Sequence, residues 1–369
     1  MATARATANG LRAPLPIPGL RDVSGLRVGV ITALLLLVLF GLPVLFSNFW
    51  VQVCTLVAVY SIVALGLNLL MGRVGLVSLG QIAVLALGAW VAARLLFATG
   101  LPFPVVLLMT GLITMVLGTI IGLPALRLTG LYLALVTLML AGAITVVLAS
   151  TDFPNGGEGF LGHQEGGTGA TAGSGQAESI RRPAIAETSD GYFRYTLIAT
   201  ALMFLLVLAH IRGKPGRAWA AIHQSEPAAL AAGVNVTLYK LWAFALAAFI
   251  TGVAGGLLAG AVGVLFNFQF PTEESIVLLA VVLMGGIYSL WGAIIAGAFM
   301  QLLPELLNDW GVAADLLTIL FGVGILQVLL TAPAGLVDQV PRDMGRLGRL
   351  IWRLAGRAFK RPADTARSP

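Results

Sequence analysis

The chain has little cysteine and little charge. Its one cysteine, Cys54, lies inside an apolar run, so a disulfide framework and a cysteine-based metal site are both excluded. Only 10% of the residues are charged, whereas 58% are hydrophobic, and the mean hydropathy is +0.95. Several runs approach or exceed the roughly 20 apolar residues that cross a bilayer. The low charge and the long apolar runs predict an integral membrane protein rather than a soluble one.

Patterns for catalysis, metal binding and energy coupling are also missing. No GxxxxGK[ST] phosphate loop occurs, since the Gly-Lys pair at 213–214 is followed by proline. The three histidines, His163, His210 and His223, lack metal-ligand spacing. No apolar run carries the paired carboxylates of a proton relay. We therefore predict no catalytic residue, no metal and no cofactor. If the chain moves a solute, another protein must supply the energy.

Apolar runs predict an all-α polytopic bundle. Nine spans are indicated, near 28–46, 51–71, 75–97, 103–123, 131–149, 194–211, 239–262, 276–300 and 312–332. Both ends of the chain are basic and should share one side of the membrane, which requires an even number of crossings. We expect Gly285-Gly286 and Gly292 to divide the run 276–310, or segment 72–97 to be partly re-entrant. The prediction is about 8–10 transmembrane helices.

Charge predicts the orientation and the domain boundaries. Positive residues favour the cytoplasm, which places there a mobile arm (1–27), the turns at Arg73 and Arg127, the loop 212–238 and the tail 334–369. Segment 150–193 holds six acids against two arginines and is rich in glycine, so it is predicted to be an external loop. The transmembrane domain is then 28–333. The tail predicts a basic amphipathic helix suited to an anionic lipid surface. Because the basic residues collect in these segments, the net charge of +6 indicates no nucleic acid partner.

A polar segment at 213–239 separates two apolar spans. Within it, Glu226 to Gly233 is typical of one short helix, with Pro227 in the first turn and Gly233 at a left-handed stop. Two interpretations of Glu226 are open. It caps a helix in a solvated loop, or it belongs to a surface that meets a soluble partner.

Five stretches resemble one family in the same order along the chain. They are LGLNLLMGRVGLVSLGQ (65–81), GLPALRLTGLYLALVT (122–137), PNG (154–156), GRAWAAIHQSEPAALAAGVN (216–235) and MGGIYSLWG (284–292). Together they resemble bacterial ABC importer permeases for branched-chain amino acids, over roughly residues 50–335. The longer member of the usual permease pair is the closer likeness, and urea and amide permeases are relatives.

The resemblance implies a short cytoplasmic coupling helix that sits in a groove of a separate ATPase subunit. The residues it assigns to ATPase coupling are Gly216, Arg217, Glu226, Ala228, Ala229, Gly233 and Asn235. It implies four kinds of partner: two ABC ATPase subunits, a second homologous permease, an extracytoplasmic solute-binding protein and membrane lipid. The location implied is the bacterial inner membrane, with both termini in the cytoplasm.

Polar residues at membrane depth are candidates for the solute path. Asn68, Ser78, Gln81 and Thr137 either line this path or serve as hydrogen-bond partners between helices. Glycines repeat every four residues at Gly252, Gly256 and Gly260, which favours close packing of helices within the chain over a subunit interface.

Three classes of function remain. An importer permease forms half of a translocation path for branched-chain amino acids or similar small polar solutes, driven by ATP hydrolysis on separate subunits. A stand-alone secondary transporter or channel is the alternative, but the lack of carboxylates in the spans disfavours it. For a membrane-embedded enzyme the sequence offers no nucleophile, base or metal cluster.

Overall fold

The structure is a computed structural model that describes residues 45–125, 130–150, 186–266 and 269–311, with isolated positions outside them. Five predicted regions lie wholly or mostly outside the described residues: the arm 1–27, the span near 28–46, the external loop, the span near 312–332 and the tail 334–369. The chain divides into a unit Met1–Phe46 and a unit Ser47–Pro369. The fold below is that of the second unit.

Ten helices occupy the described part of this unit. They are α1 (Asn48–Asn68), α2 (Gln81–Thr99), α3 (Phe103–Ala125), α4 (Leu131–Ser150), α5 (Ser189–Arg212), α6 (Lys214–Gln224), α7 (Glu226–Ala231), α8 (Val236–Val262), α9 (Glu274–Gly285) and α10 (Leu290–Asp309). A wider π-type turn, Leu69–Val74, continues α1. Five segments are long and apolar enough to cross a membrane, and three shorter apolar helices accompany them. The all-α membrane fold is confirmed.

α1 and α8 form the centre of the bundle. Five-sixths of the apolar window of each, 83%, is buried, against 39% or less for the other three long spans. α8 packs on α2 through glycine, because a Cβ at Gly255 would overlap the backbone of Leu85 and Ala89. A Cβ at Gly252 would overlap Thr114 of α3. The glycine repeat thus serves packing within the chain, as the sequence favours.

The run 276–310 is divided, as expected. α9 ends at Gly285, a turn follows over 286–289, and α10 begins at Leu290. A Cβ at Gly285 would overlap the carbonyl of Gly292, so the two glycines allow the helices to meet closely across the turn. The predicted start of the span near 75–97 is less accurate. Helix α2 begins at Gln81, whereas 75–80 is irregular backbone.

The end of the predicted external loop is fixed to the bundle. Arg182 donates hydrogen bonds from Nε to the Gly260 carbonyl (3.0 Å) and from Nη2 to the Ala261 carbonyl (3.1 Å). Its guanidinium lies 5.0 Å from the centre of the Tyr192 ring. These contacts satisfy carbonyls in the last turn of α8, which have no partner within a helix. α5 begins at Ser189, with Thr188 as its N-cap, so it starts before the predicted 194.

Candidate coupling segment and adjoining helix breaks

The segment between α5 and α8 contains two helices rather than the one short helix predicted. α7 matches the prediction, but α6 (Lys214–Gln224) precedes it. Gly213 and Pro215 are typical of a loop, yet Pro215 lies in the first turn of α6, where its missing N–H costs nothing. A Cβ at Gly216 would overlap the carbonyl of Ile211, so glycine lets α6 turn closely against the end of α5.

Both ends of α7 are capped by local hydrogen bonds. Ser225 accepts a hydrogen bond from the Ala228 N–H at its Oγ (3.4 Å). At the other end, the Gly233 N–H bonds to the Leu230 carbonyl (2.9 Å) and the Val234 N–H to the Ala229 carbonyl (3.0 Å). Gly233 has φ +80°, the left-handed conformation that this Schellman-type stop requires. Ser225, rather than Glu226, is therefore the residue that caps the helix.

Glu226 instead forms an ion pair with Lys240, a residue that sequence reasoning did not single out. Lys240 Nζ donates a hydrogen bond to Glu226 Oε1 over 2.5 Å. The Lys240 side chain is 3% exposed and the Glu226 side chain 41%. Burying an ammonium group away from a partner costs several kcal/mol. The pair therefore ties α7 to the first turns of α8.

α7 presents apolar surface to the outside. Only Ala229 is buried, while Pro227, Ala228, Ala231 and Ala232 are exposed, and Leu230 is 59% exposed. The flanking Arg212, Lys214 and Arg217 are also exposed. A charged border around small apolar residues, outside the spans, is typical of a surface that another protein covers.

The remaining predicted coupling residues lie around α7. Arg217 is exposed on α6. Asn235 is the N-cap of α8, where its Oδ1 accepts a hydrogen bond from the Leu238 N–H (3.1 Å). The segment thus enters α8 through a defined cap.

An aromatic group fixes α6 to the bundle. Trp219 is fully buried and donates from Nε1 to the Tyr239 carbonyl (2.9 Å). His210 of α5 stacks on Trp219 with ring centres 6.5 Å apart, and its ring also lies 6.0 Å from Trp242 of α8. The pattern Ala218–Trp219–Ile222, all buried in a helix with a polar opposite face, is the signal from which α6 could have been predicted.

Two interruptions of apolar helices meet beside α6. The first covers 68–80, where α1 passes through the π-type turn into the irregular backbone at 75–80, and the second is the turn 286–289. Asn68 donates from Nδ2 to the Ser289 carbonyl (2.8 Å) and, less directly, to the Gly286 carbonyl (3.5 Å). Arg73 donates from Nη2 to the Tyr288 carbonyl (3.1 Å). Side chains of the first interruption therefore form hydrogen bonds with carbonyls of the second.

The other three predicted pathway residues are buried and hydrogen-bonded close to the first interruption. Thr137 Oγ1 accepts from the Leu79 N–H (2.9 Å), and Ser78 Oγ accepts from the Gly80 N–H (3.4 Å). Gln81 Oε1 accepts from Thr251 Oγ1 over 2.8 Å. In this conformation all three hold irregular backbone or neighbouring helices together, and their part in the solute path stays a prediction.

Arg94 is a buried arginine near the end of an apolar helix. It is fully buried in α2, five residues before Thr99. None of its three guanidinium nitrogens has a hydrogen-bond partner among the described residues. An unpaired buried charge is costly, so we expect Arg94 to lower the stability of this part of the bundle.

Comparisons with known proteins agree with this architecture. A family model described as "Branched-chain amino acid transport system / permease component" matches residues 49–329. The chain is similar to the high-affinity branched-chain amino acid transport system permease protein LivM of Salmonella typhimurium, with 31% identity over 329 residues. That match covers 86% of this chain and 77% of the relative, and the same figures hold for LivM of Escherichia coli. No solved structure matches the chain significantly. This chain belongs to the family of branched-chain amino acid transport system permease components.

Proposed function

We propose that this chain forms half of the translocation pathway of a binding-protein-dependent ABC importer. Its relatives are named as permeases for branched-chain amino acids, and we extend to this chain that substrate class or similar small polar solutes. The partners are two ABC ATPase subunits, a second homologous permease and an extracytoplasmic solute-binding protein. ATP is hydrolysed on the ATPases, and this chain is not itself an enzyme.

The single observation that carries the proposal is the attachment of α7 to α8. α7 exposes small apolar residues outside the spans, and its one charge is held by a lysine buried in the central helix. An ATPase groove that binds the exposed face of α7 would therefore displace α8 through the Glu226–Lys240 pair when the groove moves. Because α8 packs on α2 and α3 through glycines, movement at its end would be passed to the bundle.

The proposal includes an orientation. The coupling segment carries Arg212, Lys214 and Arg217, which supports its placement on the cytoplasmic side of a bacterial inner membrane. Arg73 lies at the same end of the bundle, because Gly75 is in contact range of His223 of α6. With the basic arm and tail also inside, both termini are proposed to be cytoplasmic, and the tail 334–369 to lie on the lipid surface.

Co-purification tests the docking surface. Solubilised in mild detergent from cells that also produce the cognate ATPases, the chain should retain both ATPase subunits. Leu230→Ser on α7 should weaken this retention by about tenfold, which corresponds to loss of roughly 1.4 kcal/mol of apolar contact.

Leu238→Ser is the matched control, because Leu238 is also 59% exposed but lies in the first turn of α8. It should retain the ATPases as the parent does. If the two leucine variants lose ATPase to the same extent, or neither does, α7 is not the docking surface.

A further inference from the structure

We propose that the two helix interruptions form the inner gate of the solute pathway, and that His223 links this gate to the coupling segment. The gate is defined here as Asn68, Arg73 and Gly75 of the first interruption with Ile287, Tyr288 and Ser289 of the second. The inference rests on the proposed function and adds to it the residues that close the path.

Hydrogen bonds between side chains and backbone carbonyls join the two sides of the gate in this structure. Asn68 and Arg73 donate to the carbonyls of Ser289 and Tyr288 at 2.8 and 3.1 Å. The backbones also touch, since a Cβ at Gly72 would overlap the Ile287 carbonyl. No aliphatic side chain at position 72 would allow this approach.

Such contacts suit a gate better than an ordinary helix contact. A continuous helix satisfies its own backbone groups, whereas an interrupted one leaves N–H and carbonyl groups that need other partners in a membrane. Hydrogen bonds exchanged for water change the free energy by only about 0.5–1.5 kcal/mol each. The interrupted backbone can therefore open toward an aqueous path at low cost. In secondary transporters, paired interruptions of apolar segments likewise lie at the solute pathway.

His223 contacts both interruptions. Its ring lies edge-on to Tyr288, with centres 6.3 Å apart. On the other side, a Cβ at Gly75 would lie only 2.8 Å from His223 Nδ1. Gly75 also has φ +83°, a conformation that other residues adopt at a cost. The glycine thus makes room for the imidazole at the end of the first interruption.

The position of His223 in α6 connects it closely to α7, the proposed docking surface. His223 lies in its last turn, and only Gln224 and Ser225 separate it from α7. The middle of α6 is fixed to the start of α8 by Trp219 and the Tyr239 carbonyl. A shift of α7 and α8 driven by the ATPases would therefore displace His223 against Gly75 and Tyr288. His223 is a positioning residue in this scheme, and it does not contact the solute.

The single native cysteine makes the gate accessible to thiol labelling. In a Cys54→Ser background, Ser289→Cys places a reporter in the gate, where Ser289 is half-buried and its side chain caps nothing. The complete importer in proteoliposomes is treated with a membrane-impermeant maleimide on the coupling-segment side. Labelling rates are compared without nucleotide and with ATP plus vanadate.

In the parent, the labelling rate should change with nucleotide by about fivefold or more, as expected for a gate whose equilibrium shifts by roughly 1 kcal/mol. His223→Ala should abolish that change and most uptake, while the ATPases still co-purify. Gln224→Ala is the matched control, since Gln224 is exposed on the same turn and should behave as the parent. Arg73→Met, which removes the bond to Tyr288, should raise the labelling rate without nucleotide.

Any one of three results would overturn the inference. The labelling rate of the parent could be the same with and without nucleotide, or it could change with nucleotide as much in His223→Ala as in Gln224→Ala. The third result is an Arg73→Met protein that is labelled no faster than the parent in the absence of nucleotide. Failure of the proposed function is a separate result. In that case the parent chain would not bind ATPases at all, whatever its labelling rates.

Discussion

Removing Glu226 should cost more stability than removing Lys240, although both changes break the same ion pair. Glu226→Ala leaves an ammonium group that is 3% exposed with no acceptor, whereas Lys240→Met leaves a carboxylate that is already 41% exposed. Loss of one partner from a buried pair costs about 3–5 kcal/mol. Because Glu226 is partly solvated, we reduce this to about 2–3 kcal/mol for Glu226→Ala.

Lys240→Met should cost about 1 kcal/mol or less, since methionine keeps the packing of the buried stem and the carboxylate can turn to water. The double variant should then be more stable than Glu226→Ala alone.

Glutamine is the milder replacement of Glu226, because its amide oxygen still accepts a hydrogen bond from Lys240. Arginine at position 226 would place a second cation on the buried lysine.

The assay is the free energy of unfolding in mixed micelles, measured by denaturant titration for the parent, both single variants and the double variant. The interaction energy from this cycle should be about 1–3 kcal/mol. Equal losses in the two single variants, or a double variant less stable than Glu226→Ala, would refute the reasoning from burial.

Further predictions concern stability in the same assay. Gly216→Ala should destabilise the chain by about 2 kcal/mol or more, because its Cβ would overlap the Ile211 carbonyl. Gly142→Ala is the control, since its Cβ would meet nothing within 4 Å. It should be neutral or stabilising by up to about 1 kcal/mol. Gly118→Ala should destabilise α3 against α8, since its Cβ would overlap that of Ala248, and a stability equal to that of Gly142→Ala would contradict this. Arg94→Met should raise the free energy of unfolding by about 1 kcal/mol or more, because it replaces a buried charge that lacks a hydrogen-bond partner among the described residues; a clear fall would show that the guanidinium is stabilised.

Local signals made part of this structure predictable. Pro227 and Gly233 mark the first turn and the stop of α7, and both act within a few residues of the chain. The division of 276–310 followed from Gly285 and Gly286 in the same way. Spans such as α3 and α4 are fixed by length and hydropathy alone, so their predicted bounds lie within about two residues of the observed ones.

Contacts distant in the chain were not predictable from one sequence. In the sequence, Lys240 is a basic residue at the end of a predicted span. Its ion pair with Glu226 depends on how α7 packs against α8. Asn68 bonds to carbonyls 218 and 221 residues away, and nothing near either position indicates that partnership. Sequence reasoning could name Asn68 and the glycine turn at 285–286 separately, but only the fold shows that Asn68 bonds to this turn and that His223 contacts Tyr288 within it.

Uptake of radiolabelled leucine into proteoliposomes tests the importer function most directly. Four preparations are compared: this chain alone, the chain with its permease partner, both with the ATPases, and all of these with the binding protein. We expect ATP-dependent uptake in the complete preparation and none from the chain alone. Uptake by this chain alone, without ATP, would contradict the importer function and favour a stand-alone transporter.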